Sequence, residues 1–198
     1  AACTGKQCER VEELFGEAAA DVWILGDSAT RIKHQGEYIF ESLLPNELGR
    51  RIIAKLAAIA QDHVIIACTP TAAYIAETTN EADAQKVRGS YRVVKTVTDY
   101  QTITEDFVKL TIFDPKLRCF EHVQQLGEFT NDAYIVASEA AWIDITNQGV
   151  HKGTTVAHLQ ELLHVTPEET MVFGDGLNDL ELMAAGTFSF AMSNAFEE

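Results

Sequence analysis

The sequence predicts an α/β protein: two strand–helix units separated by a larger mixed block. Three observations predict it. Ala2-Cys3-Thr4-Gly5 reads as the tail of a strand and a turn, followed by Val11, Leu14, Phe15 and Ala18 at helical spacing. Near the other end, Thr170 to Phe173 is β-branched and apolar, stops at Gly174-Asp175-Gly176, and opens a helix with Leu180, Met183 and Ala184 on one face. Between these units the chain alternates strand-like and helix-like patterns with no repeated period.

Taken in order, Lys6–Ala19 is predicted helical and Asp21–Leu25 a strand. Arg31–Ser42 reads as a hairpin turning at His34-Gln35-Gly36-Glu37. Pro45 starts a helix whose stripe is Ile52, Ile53, Leu56 and Ile59. His63–Cys68 and Ala72–Glu77 read as strands, and the polar stretch Thr78–Tyr91 as a loop holding a short helix. Phe107–Phe113 is a strand ended by Asp114-Pro115, and Lys116–Leu126 a helix. Ala133–Ala137 and Ala141–Ile145 are strands, followed by a turn at Asn147-Gln148-Gly149 and a helix to about His164. Asn194-Ala195-Phe196-Glu197-Glu198 reads as the start of another helix, and neither end reads as a finished terminus, so a fragment is expected.

Composition narrows the function. The chain is 46% hydrophobic and 23% charged, which suits a globular protein with a core. Its net charge of −15 argues against nucleic acid or an anionic membrane as partner. An anionic substrate would need local help from a metal, a lysine or backbone N–H groups. No apolar run reaches membrane-spanning length. Cys3, Cys8, Cys68 and Cys119 lack paired metal-site spacing and read as free thiols in a reducing, cytoplasmic setting.

Three places carry chemistry. Asp175 projects from the carboxyl end of a strand and Asp179 from a helix start one tight turn later, with Asn178 as its N-cap. Two carboxylates so placed suit a hard cation such as Mg²⁺. Asp-Gly alone is also an ordinary turn, with Asp179 complementing the helix dipole. Thr4 and Gly5 lie between a strand end and a helix start, where a hydroxyl and free N–H groups can bind phosphate; Thr4 reads equally as a plain cap. Lys152 lies in Gly149-Val150-His151-Lys152-Gly153 at a helix start, where a lysine opposes the dipole but is useful beside anions. A solvated lysine is its ordinary reading. His151 and His158 read as helix-surface histidines.

Together these runs resemble a known family. Gly174-Asp175-Gly176-x-Asn178-Asp179-x-x-x-Met183, with Gly149-Val150-x-Lys152-Gly153 about twenty residues earlier, resembles the fourth and third motifs of the haloacid-dehalogenase-like (HAD) phosphohydrolases, more narrowly the Cof-type sugar-phosphatase branch. Cys3-Thr4-Gly5-Lys6 is similar to the second motif, with Lys6 where the family usually has Arg. The resemblance implies a HAD-like Rossmannoid core, incomplete because the first-motif strand is absent, with an inserted α/β cap. The core is expected at 1–31 and 147–198 and the cap at 32–146. Gly26-Asp27-Ser28 falls where the branch often has Asn-Gly, and is a departure from it.

The resemblance further implies a Mg²⁺-dependent phosphatase acting on a small phosphorylated metabolite. Asp175 and Asp179 would hold the metal. Thr4, Gly5, Lys152 and Asn178 would bind phosphate, with Thr4 and Lys152 acting in catalysis. The family's Asp-x-Asp nucleophile motif does not occur in the 198 residues, so the chain as given is expected to be inactive and the C-terminal strands after the fourth motif are expected to be missing. A non-catalytic binding protein and a phosphomutase fragment are the alternatives; a P-type ion pump is disfavoured by the lack of any spanning segment.

Overall fold

The computed structural model describes residues 1–196. Its first sheet has β1 (Ala2–Cys3), β2 (Ile24–Gly26), β3 (Arg31–His34) and β4 (Glu37–Glu41) side by side in that order. β1 and β2 are parallel, as a strand–helix–strand crossover requires, and α1 (Cys8–Phe15) makes the crossover. β2, β3 and β4 run antiparallel through the hairpin at Gln35-Gly36, both at positive φ.

A second sheet of six strands follows, formed by β5 (Val64–Cys68), β6 (Ala73–Ala76), β7 (Val94–Val97), β8 (Lys109–Phe113), β9 (Ala133–Glu139) and β10 (Trp142–Asn147). Its spatial order is β7-β6-β5-β8-β10-β9. One face is covered by α2 (Asn46–Ile59) and α4 (Cys119–Gln124), which bury Ile52, Ile53, Leu56 and Cys119 against Leu110, Ile112, Ile143 and Ile145. Alternation along a strand sends the residues between them the other way. Lys109, Thr111 and Asp144 therefore share the opposite face, with Thr111 directly across from Asp144. Further along that face α3 (Glu81–Arg88) packs Ala84 and Val87 on Ile66 and Ile75; Asn80 caps it, its side chain accepting from the Asp83 N–H at 3.0 Å.

The last part comprises α5 (Lys152–Leu163), β11 (Met171–Gly174), α6 (Leu180–Met183) and β12 (Phe188–Ala191), with β11 and β12 parallel. Val156 and Leu159 of α5 pack with Leu25 and Ile32 of the first sheet and with Val172 and Leu182. One apolar cluster thus joins the first 41 residues to the last 50 or so.

The expected 31/32 division falls at β3, which pairs with both β2 and β4. Other expectations are corrected. β12 is a strand after the Gly174-Asp175-Gly176 turn, where none was expected. β7 was unassigned, since Val94-Lys-Thr-Val97 is short, polar and at a sheet edge. Residues 192–196 form turns, not a helix start, and Glu197 and Glu198 lie outside the described residues. The last α-helical segment begins at Leu180 after a 3₁₀ turn over Leu177–Asp179, so Asp179 occupies its N-cap place and Gly176 that of the 3₁₀ turn, and Asn178 neither. Among the described residues no helix is long and apolar enough to cross a membrane.

α2 lies close to the strand it covers. A Cβ on Gly49 would stand 2.3 Å from the Phe107 ring, and Phe107 is fully buried. Gly49→Ala is therefore expected to destabilise the fold by about 1–3 kcal/mol, as overpacked cores do. For a chain of this size that lowers the melting midpoint by about 2–4 °C per kcal/mol, which calorimetry reads directly.

Candidate active site

The site is built where the strand ends of β1 and β11 face the polar side of the six-stranded sheet. A cleft of about 540 Å³ opens there, with Thr4, Gly5, Asp175 and Asn178 on one wall and Lys109 and Asp144 on the other. Lys152 and Asp179 lie behind it, 7% and 6% exposed. A small void of about 10 Å³ beside the cleft is bordered by Lys152, Asn178, Ser28 and Asp144.

Asp179 is held by three donors. Lys152 Nζ donates to Oδ1 at 2.5 Å, and the N–H groups of Asp175 and Gly176 donate to Oδ2 at 3.0 and 3.1 Å. Burial pushes this carboxyl up, but the Lys152 charge and these hydrogen bonds outweigh it and hold its pKa below the usual carboxylate range. The lysine reaches it because α5 starts tightly against α6: a Cβ on Gly153 would stand 2.4 Å from the Glu181 carbonyl oxygen. His151, expected on the helix surface without a partner, caps α5; its Nδ1 accepts from the Thr154 N–H at 3.3 Å while the Thr154 hydroxyl accepts from the His151 N–H at 3.1 Å.

Thr4 is not a helix cap, since α1 begins at Cys8 behind Gln7. The Thr4 N–H donates to Leu25 O at 2.9 Å, continuing the strand, and its hydroxyl oxygen accepts from the Lys6 N–H at 3.2 Å. Asp175 is exposed and accepts from Asn194 Nδ2 at 3.0 Å. The six residues singled out from sequence therefore fall into two sets. Thr4, Gly5, Asp175 and Asn178 face the cleft, while Lys152 and Asp179 form a buried pair supporting it.

Asp175 is the carboxylate exposed at the cleft, while each oxygen of Asp179 already accepts at least one hydrogen bond. Among the described residues no three His, Cys, Asp or Glu side chains form a metal cage. That donor set fits Mg²⁺, which binds through one or two carboxylates, waters and a substrate phosphate. The four cysteines are free thiols, and burial pushes Cys3, beside the Thr4 loop, up to about 12.

Sequence reasoning missed the far wall. Lys109 is 2% exposed, and its Nζ donates to Asp144 Oδ1 (2.9 Å), Gly5 O (2.9 Å) and Ser28 Oγ (3.0 Å). The available signal was a lysine and an aspartate inside otherwise apolar strands, Lys109-Leu-Thr-Ile-Phe and Trp142-Ile-Asp144-Ile-Thr. Beside them Asp27, Ser28 and Ala29 run through φ values of 55°, 61° and 66°, a left-handed turn in three non-glycine residues.

These features now meet comparisons with known proteins. Residues 1–198 match the haloacid dehalogenase-like hydrolase family across their whole length. The chain is 27% identical over 196 residues to 5-amino-6-(5-phospho-D-ribitylamino)uracil phosphatase YbjI of Escherichia coli, covering 97% of this chain and 71% of that one. A crystal structure from Streptococcus mutans superposes with a TM-score of 0.91 at 22% identity, over 98% of this chain and 74% of that one. A HAD subclass IIB sugar phosphatase superposes at 0.72 with 20% identity, over 87% and 65%. The chain belongs to the haloacid dehalogenase-like hydrolases and has their α/β fold.

The buried Asp27 provides a test of the site's electrostatics. Burial pushes its pKa from 3.8 up to about 6, against the opposing charges of Lys109 and Arg31. A carboxyl raised in the fold favours folding at low pH, and that contribution is lost as pH rises through about 6. Asp27→Asn is expected to remove roughly 3 kcal/mol of the fall in stability between pH 3.8 and about 6. Urea titrations at several pH values measure it, and an unaltered pH slope would assign the titration to another group.

Proposed function

We propose that the chain forms the phosphate and metal site of a Mg²⁺-dependent phosphatase acting on a small phosphate monoester, with a sugar phosphate as the favoured class. The observation that carries this reading is the convergence of Thr4, Gly5, Asn178 and Asp175 on one cleft backed by the Lys152–Asp179 pair. Relatives named as phosphatases support the class.

Each residue has a physical role in this reading. The Thr4 hydroxyl, already accepting from the Lys6 N–H, donates its own proton to a phosphate oxygen. Gly5 lets the phosphate approach the backbone closely. Asn178 supports the same anion from the opposite strand end. Lys152 offsets its charge through the short polar path past Asn178, while Asp179 holds the lysine in place. Asp175 is the direct metal ligand, and Asp179 acts on the metal site through the turn it ties down. When bound, Mg²⁺ supplies charge neutralisation and a fixed orientation for the phosphoryl group. The attacking carboxylate of an aspartyl-phosphate mechanism is not among these residues, since no Asp-x-Asp occurs in the sequence.

In the same reading the six-stranded sheet with α2, α3 and α4 is the cap over the site. Its division from the core falls after Glu41 and again near Asn147, where the chain leaves one sheet for another.

Calorimetric titration of inorganic phosphate with and without Mg²⁺ tests the proposal on this chain. Affinity should rise with Mg²⁺, and Asp175→Asn should remove that rise. Outer-shell partners alone are worth about 10- to 100-fold in metal affinity, so loss of a direct ligand should exceed it. Unchanged Mg²⁺ dependence would take Asp175 out of the site. No turnover of p-nitrophenyl phosphate is expected from the 198 residues. Steady Mg²⁺-dependent hydrolysis would place a nucleophile among them.

A further inference from the structure

The buried lysine on the far wall makes no use of solvent. All three Lys109 protons have partners, and two of these, Gly5 O and Ser28 Oγ, lie in the segment that carries Thr4. The third partner, Asp144, is on the lysine's own sheet, on the adjacent strand. Burial alone would pull the Lys109 pKa down, but Asp144 and its neighbours outweigh it, so the ammonium stays charged. A lysine with no free proton does not bind substrate; it fixes what it holds.

What it holds is a peptide plane. The Gly5 carbonyl and the Lys6 N–H belong to one planar trans unit, in which C=O and N–H point in opposite directions. Drawing the carbonyl toward Lys109 therefore turns the Lys6 N–H away from it, and that N–H donates to Thr4 Oγ1 at 3.2 Å. With the hydroxyl oxygen engaged as acceptor, the Thr4 proton is left to point elsewhere.

The second bond acts on the same loop from behind. The left-handed turn Asp27-Ser28-Ala29 costs backbone energy and persists only where its surroundings over-determine it. Its N–H groups are tied to the Thr4 loop, Asp27 N to Lys6 O at 2.7 Å and Ser28 N to Thr4 O at 3.1 Å. The Ser28 hydroxyl is tied to Lys109.

We propose that Lys109 is a positioning residue that clamps the Gly5–Lys6 peptide and the Ser28 turn, and so aims the Thr4 hydroxyl at the bound phosphate. The aim at phosphate rests on the reading of Thr4 given above; the clamp itself does not. Lys109 thereby makes the geometry of the Thr4 loop depend on where the six-stranded sheet sits.

Two variants separate the clamp from mere packing. Asp144→Asn keeps Lys109 and its bonds to Gly5 and Ser28, and the carboxylate of nearby Asp27 remains to favour the ammonium. Lys109→Met/Asp144→Asn removes the clamp without leaving a buried unpaired charge, which Lys109→Met alone would do. The double variant should lose amide-exchange protection at Lys6 and Ser28 that Asp144→Asn retains, with Ile66 in β5 unaffected in both. It should also bind inorganic phosphate about tenfold more weakly than Asp144→Asn, the worth of one misaligned hydrogen bond. Equal protection at Lys6 and Ser28 would overturn the clamp, and equal phosphate affinity would overturn its aim at phosphate. If the unmodified chain binds no phosphate with or without Mg²⁺, the phosphate reading fails and the amide protection alone decides the clamp. Should the double variant not fold, the unmodified chain still decides it. A clamped Lys109 gives a solvent-protected ammonium resonance in ¹⁵N spectra, and a freely exchanging one refutes the proposal.

Discussion

The carboxylate of Asp179 is the constraint on which the site depends. It gathers the start of α5 through Lys152 and the end of β11 through the Asp175 and Gly176 N–H groups. Taking a lysine and an aspartate out of water is costly, and a buried pair survives only when its remaining lone pairs are also satisfied. Here both oxygens are. That explains an oddity of the sequence, a lysine at the first position of a helix, where the dipole repels it. The carboxylate across the gap outweighs the dipole.

Charge balance then shapes the rest of the cleft. Lys109 on its wall and Lys152 behind it are each matched by a buried aspartate, Lys6 also lines it, and Asp175 and Glu139 add negative charge at its rim. In a chain of net charge −15, Lys6 aside, little unneutralised positive charge at the cleft is left to attract a phosphate dianion. A divalent cation at Asp175 is the natural remedy, and hydrogen-bond donors such as the Thr4 hydroxyl and loop N–H groups supply direction where side-chain charge does not.

How much was legible in the sequence follows from distance along the chain. Asp175, Asn178 and Asp179 lie within one turn, and local glycine and capping chemistry announced that turn, although Asn178 proved not to be its cap. Helices with strong stripes, such as α2, were placed to within a residue or two. The Lys109 cluster was not legible, because its partners lie 35, 81 and 104 residues away and no local pattern links them. β7 and β12 escaped for a related reason. A short edge strand has few cross-strand neighbours, and the pairing that defines it is non-local. The hairpin's allegiance to β2 was likewise decided by tertiary pairing, not by its own turn.

The same topology dictates an order of assembly. The strands of the six-stranded sheet are contiguous in sequence from Val64 to Asn147 and need no segment from outside to pair. The first sheet and α5 meet across a far longer loop; the Thr155 hydroxyl donates to Ala29 O over a separation of 126 residues. Closing such a loop costs entropy before any contact compensates it, and contacts of high separation form slowly. Once the middle block has folded, its two ends are brought near one another and the effective loop becomes short. The inserted block is thus a folding template for the segments that flank it: a destabilised six-stranded sheet would delay the joining of the first sheet to α5 even where every residue of the cleft is intact.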